Sequence, residues 1–174
     1  MGDLWHGLSQ LCGWVYFVLW SLSFYPQPLL NIKNRSTNGL AFDFPLLNTL
    51  GFICYTIGTA VFLYSPTIRE QYAARHPASP EPTVQFNDLC FGINAVVFCA
   101  ISVSQFWPPL WGFKHSTNRR ANIVTWSIVC ASFLTIACSA IMVLVSQESM
   151  DTGGHEWEWI DVVRHVSVFG IGHY

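Results

Sequence analysis

Formal charge is what this sequence most conspicuously lacks. Only 10% of its 174 residues are Asp, Glu, Lys or Arg, against about 25% in an ordinary soluble domain. The eight Lys and Arg are scattered singly or in pairs and the net charge is -2, so no basic stripe exists to neutralise a phosphate backbone. Nucleic acid is therefore excluded as a partner. Also missing are a C-x-x-C pair, an H-E-x-x-H helix, a G-x-G-x-x-G or P-loop turn and a G-x-S-x-G elbow. Their absence argues against a metal centre, a bound cofactor and an enzyme. The six cysteines, Cys12, Cys54, Cys90, Cys99, Cys130 and Cys138, all fall within or at the ends of apolar stretches and read as small packing residues.

Apolar and aromatic residues are what is present. They reach 52% of the chain, with eight Trp, thirteen Phe and six Tyr. Four runs carry no formal charge: Leu8 to Leu30, Pro45 to Tyr64, Leu89 to Trp107 and Ala121 to Ser146. At about 1.5 Å per residue each approaches or exceeds the roughly 30 Å of a bilayer's hydrocarbon. The fold class expected is an all-α membrane protein. The first run lacks a basic flank and is too long for a cleaved signal, so it is expected to persist in the mature chain. The stretch from Ser65 to Phe86, with Pro66, Pro77, Pro80 and Pro82, reads as a loop.

Basic residues orient the spans. Lys33 and Arg35 lie in the first loop and Lys114, Arg119 and Arg120 in the third, but only Arg69 and Arg75 in the second. The first and third loops should face the cytosol. The N-terminus (residues 1–7), the second loop and the acidic stretch Glu148, Asp151, Glu156 and Glu158 should then be luminal. The sequon Asn34-Arg35-Ser36 falls on the cytosolic side and should stay unglycosylated.

Polar residues inside these runs are the candidate site. Pro26 cannot donate to the carbonyl of Leu22, nor Pro28 to that of Phe24, so the first span should bend at Pro26-Gln27-Pro28. Gln27 is placed to satisfy one freed carbonyl; the bend is either a hinge lining a cavity or a packing feature. Asn48 and Phe52, four apart, share a helix face that could frame a small polar ligand. Asp43 is either a functional acid or a first-turn helix acid. Asp88, where the third span meets the bilayer, is either a proton site or a cap. In the fourth run Ala131, Ser132, Thr135 and Ser139 suit close helix packing.

Gly13-Trp14-Val15-Tyr16-Phe17, Trp20 through Gln27, Gly39 through Phe44 and Leu47-Asn48 together resemble the first repeat of the cystinosin family of PQ-loop proteins. Tyr64-Ser65-Pro66, Ile68 through Gln71 and Asn87-Asp88 extend the likeness from about Leu11 to Ser146. The resemblance implies proton-coupled export of L-cystine from a lysosome or vacuole through two three-helix bundles joined by a linker helix. It places Trp20, Asn48 and Phe52 on the cystine site, Pro26 and Gln27 at the hinge, and Asp88 and Asp43 in proton coupling. The division expected is a three-helix PQ-loop bundle over 8–107 (spans about 8–30, 45–64 and 89–107), a cytosolic loop over 108–120, a linker helix over 121–146 and a luminal tail over 147–174.

Three departures from the family accompany this. The luminal N-terminal segment is very short, no tyrosine sorting motif closes the tail, and no second PQ repeat follows. Asp161, Arg164 and His165 interrupt the region where a fifth span would begin. The expectation is a shortened chain, compromised in transport and inactive as a monomer, whose fourth-span small residues lack a partner and which forms a homodimer or pairs with a full-length relative. The competing readings are a non-transporting receptor or scaffold and a carrier of another small polar solute. The topology is directly testable. Ser36→Cys or Ser116→Cys is expected to react with an impermeant thiol reagent applied from the cytosol, and Ser79→Cys is not; labelling of Ser79→Cys alone would reverse the orientation.

Overall fold

The computed structural model describes residues 2–114, 121–148 and 158–169. Eight helices occur among them: α1 (Gly2–Ser23), α2 (Pro26–Asn34), α3 (Asp43–Tyr64), α4 (Pro66–Arg75), α5 (Phe86–Ser104), α6 (Pro108–Trp111), α7 (Ile123–Glu148) and α8 (Trp159–Phe169). Four stretches are long and apolar enough to cross a membrane: Gly7–Asn34, Asp43–Tyr64, Phe86–Ser104 and Ile123–Val145. The all-α membrane class holds.

The first span is two helices. Phe24 N–H donates to the Ser21 carbonyl at 3.2 Å and Tyr25 N–H to the Leu22 carbonyl at 3.4 Å, a tightened turn that closes α1. Pro26 then starts α2, where a missing donor costs nothing. Arg35, in the left-handed region at φ 46°, ends α2. Its carbonyl accepts from Lys114 N–H at 3.0 Å, tying the first loop to the segment after α6.

α5 packs against both α1 and α3, which have no comparable contact with each other. Its Phe91 ring lies 5.8–6.1 Å from those of Tyr16, Phe24, Phe52 and Tyr55. Between lipid-facing helices such shape matching replaces the hydrophobic drive of a soluble core. Gly92 makes the α3–α5 approach possible, since a Cβ there would strike the Thr56 hydroxyl and the Tyr55 ring. The outward residues Leu11, Leu19, Ile57, Ile93 and Leu134 are exposed, as a lipid face requires.

One expectation about the connecting segments needs correction. The proline-rich stretch after Tyr64 is not all loop. Ser65 accepts from Ile68 N–H at 3.5 Å and Pro66 opens α4, so the first proline initiates a helix instead of breaking one. The charged region of the tail, where no fifth span was expected, forms the short helix α8, which is not among the stretches long and apolar enough to cross a membrane. Arg75 on α4 grips Asp161 with two bonds of 2.7 and 3.0 Å and Glu158 at 2.9 Å, while Gln71 accepts from Ile160 N–H at 3.1 Å. These contacts dock α8 on α3, α4 and α7. Gly58 of α3 allows the approach, as a Cβ there would meet the Ser167 hydroxyl. Ser132, Ser139 and Val143 of α7 are buried, so its small-residue stripe is partly covered within the chain. Ala131 stays exposed and Thr135 half-buried. Asp151 and Glu156, expected to be luminal, and the loop positions 115–120 lie outside the described residues.

The bonds from Asp161 hold the Arg75 guanidinium's pKa above its ordinary value. Arg75→Ala would take from Asp161, only 8% exposed, the two bonds of the guanidinium. The expected cost is about 1–3 kcal/mol, between an exposed and a fully buried pair. It should appear as a lower unfolding temperature in detergent, with proteolysis between α7 and α8 accelerated; Arg75→Lys should recover only part, lacking the two-pronged geometry.

Candidate functional site

The helix break opens a cavity of about 300 Å³ in the half of the bundle where α3 begins. Trp20, Ser23, Phe24 and Gln27 line it from α1, the break and α2; Phe44, Pro45, Asn48 and Phe52 from α3; and Phe98, Cys99 and Ser102 from α5. The three residues picked for ligand contact, Trp20, Asn48 and Phe52, thus share one cavity with Gln27. A second cavity, about 350 Å³, lies where α8 meets Phe62, Tyr72 and His76. It is the larger and also carries polar side chains, but only the first lies on an interrupted backbone inside the spans, with Ser23, Gln27, Asn48 and Ser102 reaching it from four helices, which suits a solute pathway.

Each wall residue has an identifiable support. Trp20 is 51% exposed, and its ring stands 5.9 Å from that of Tyr16. Phe52 is 6% exposed and meets the Phe24 ring edge-on at 5.2 Å, so it serves the core as much as the cavity. Asn48 donates one N–H to the Phe44 carbonyl at 3.0 Å. Its oxygen and second N–H remain for another partner. The hydroxyls of Ser23 and Ser102 donate to the carbonyls of Trp20 and Phe98 at 2.6 and 2.9 Å, leaving their oxygens as acceptors. The wall is uncharged, aromatic and acceptor-rich. Such a surface suits an ammonium group, through hydrogen bonds and ring faces, better than a carboxylate.

Gln27 is differently occupied from what the sequence suggests. The Leu22 carbonyl is met by Tyr25 N–H, and the Gln27 amide instead donates to Asn31 Oδ1 at 3.1 Å. Asn31 in turn donates to Gln105 Oε1 at 2.7 Å, and Gln105 Nε2 donates to the Pro28 carbonyl at 3.0 Å. Asn31 and Gln105 escaped the sequence reading. The available signal was a glutamine inside an uncharged run and an asparagine four residues after Gln27.

The two acids sit at opposite ends of the bundle, Asp43 beside the cavity end without lining it and Asp88 at the far end. Asp88, half-buried in the first turn of α5, accepts from Gln85 N–H at 2.8 Å and so caps that helix. Asp43 opens α3 and accepts from Asn122 N–H at 2.8 Å, tying the approach of α7 to the cavity end. The Asp88 bond is the capping kind left open above; Asp43 is a first-turn acid whose bond goes to another segment, and neither acid lines the cavity.

Comparison with known proteins places this geometry in context. Residues 8–68 match the family described as PQ loop repeat. The chain is 38% identical over 163 residues to the cystinosin homolog of Dictyostelium discoideum, covering 93% of this chain and 52% of that protein. It is 43% identical over 126 residues to the cystinosin homolog of Caenorhabditis elegans, covering 72% and 30%. A cystine transporter of Saccharomyces cerevisiae is 35% identical over 57 residues, covering 33% and 22%. The chain thus spans about half or less of the length of these relatives.

The break itself has a clear test. Pro26→Ala supplies an N–H for the Leu22 carbonyl and removes the ring clash, a difference of about 3 kcal/mol in favour of a continuous helix. Spin labels at Leu11 and Lys33 should move apart in the variant. An unchanged distance would mean that neighbouring helices, not the proline, set the bend.

Proposed function

The chain is a cystinosin-like protein carrying a PQ loop repeat, and from that premise we propose that it takes part in proton-coupled export of L-cystine from a lysosome or vacuole. Trp20, Asn48 and Phe52 form one wall of the cystine site, with Asn48 and the serine oxygens receiving an ammonium end of the solute. Pro26 and Gln27 are the hinge. The observation that carries this reading is the cavity at the helix break, which gathers Trp20, Gln27, Asn48 and Phe52 from three helices. Relatives named cystinosin and cystine transporter support the choice of solute.

Alternating access needs a second wall. The rim residues Trp20 and Phe44 are half-exposed or more, which leaves a side open to a facing bundle. A second copy of this chain, or a longer relative, supplies it. The N-terminus is luminal in this arrangement and the cavity lies toward the cytosolic ends of the spans. Asp88 responds to luminal protons: protonation removes the charge that strengthens its bond to Gln85 N–H and loosens the start of α5. Asp43, through its bond to Asn122, couples the other end of the bundle to α7.

Uptake of labelled cystine into proteoliposomes, driven by an inward acid gradient, tests the assignment. Asn48→Ala should lower the apparent affinity by about tenfold, on the scale of one lost charge-assisted hydrogen bond, and Asp88→Asn should flatten the pH profile before it abolishes binding. No uptake by the parent or either variant, with folding intact, would favour the receptor reading.

A further inference from the structure

A carboxamide buried in an apolar span is costly unless both its ends are paired. Gln105, at the close of α5, is 1% exposed, and both ends are paired to the same short helix. Its Oε1 accepts from Asn31 and its Nε2 donates to the Pro28 carbonyl, residues three apart and therefore on one face of α2. Two bonds from one planar group fix both the distance and the rotation of that helix. Asn31, 2% exposed, passes the constraint on, since its Oδ1 receives the Gln27 amide that lines the cavity. Little else holds α2 in place. Among the described residues it packs appreciably only on α5, and its Leu29, Leu30 and Ile32 face outward.

We propose that Gln105 is a positioning residue: through Asn31 it sets the rotation of α2 after the helix break and holds the Gln27 carboxamide at the cavity wall, although it does not itself line the cavity. The proposal rests on the transport reading for its effect on cystine, but the clasp can be measured without cystine. Opening the bundle at this end requires α2 to leave α5, so the two bonds of Gln105 are the first to break.

Two variants separate positioning from simple stability. Gln105→Leu removes both bonds and leaves the Asn31 amide unmet. Combining it with Asn31→Leu removes the unmet amide and leaves only the Gln27 amide, which faces the cavity, without its acceptor; much of the unfolding temperature should return, because replacing both buried polar partners with apolar groups is far cheaper than orphaning one. The first readout is modification of Cys99, a cavity residue only 6% exposed, by N-ethylmaleimide in chains whose other cysteines are replaced. Both variants should react at least about tenfold faster than the parent, the scale of one lost buried hydrogen bond. Equal rates would overturn the proposal. The second readout is cystine uptake. Both variants should raise KM by about tenfold, with the maximal rate per folded protein nearly unchanged, and the double variant should regain stability without regaining KM. Recovery of the parent KM in the double variant would show Gln105 to be merely structural. If the parent moves no cystine, the transport reading fails, while the Cys99 rates still decide the clasp.

Discussion

In hydrocarbon an unpaired backbone carbonyl has no water to turn to, and that constraint organises this structure from Pro26 outward. A proline inside a membrane span removes a donor, and the chain can only end one helix, tighten its last turn and begin another. Phe24 and Tyr25 supply the tightened turn. The new helix then leaves the line of the first, and the space between them becomes the cavity. Every later feature of the site follows from this: α2 needs an external fastening, and Gln105 provides it; Phe24 swings inward to meet Phe52 and Phe91.

The second half of the architecture is held by charge instead of shape. Arg75 binds Asp161 and Glu158 at the end of the bundle opposite the cavity, with Gln71 adding a bond to the backbone of Ile160. A paired carboxylate at a helix end is compatible with the membrane boundary where an isolated one is not. That is why α8 can begin with a cluster of charges and still pack against α3. Ser132 and Ser139 on α7 are buried as well, and α7 packs on both α8 and α3.

The spans were legible because twenty apolar residues have few alternatives, and the helix break because proline chemistry is local. Trp20, Asn48 and Phe52 were legible as neighbours through helical spacing and resemblance. What escaped depended on partners distant in sequence. Pro66 looked like a breaker until Ser65 was seen capping α4, and Asp161 looked like an obstacle until Arg75, 86 residues earlier, was seen beside it. Gln105 bonds to residues 74 and 77 positions away, so nothing in its own run marked it as more than a tolerated polar residue. Gln27 was assigned the nearest vacant carbonyl, yet Tyr25 reaches that carbonyl first by tightening the turn. Local rules identified which groups lacked partners; only the packing decided which partner each one found.

The placement of the acids bears on how a proton could act here at all. Asp88 and the cavity are well apart, so direct contact between a proton carrier and the solute is not the geometry of this bundle. α5 joins them. It runs from Phe86 to Ser104, about 28 Å at the usual helical rise, with Asp88 in its first turn, Cys99 and Ser102 on the cavity, and Gln105 as its cap. A helix of that length, packed on α1 and α3 through Phe91 and Gly92, moves as a unit more readily than it deforms. Loosening its first turn and shifting its last are, in the transport reading, one motion, which the proposed clasp from Gln105 to α2 carries to the helix break. In the transport reading, coupling therefore needs no proton inside the cavity: it needs a two-position α5, with Asp88 biasing one end and the solute biasing the other.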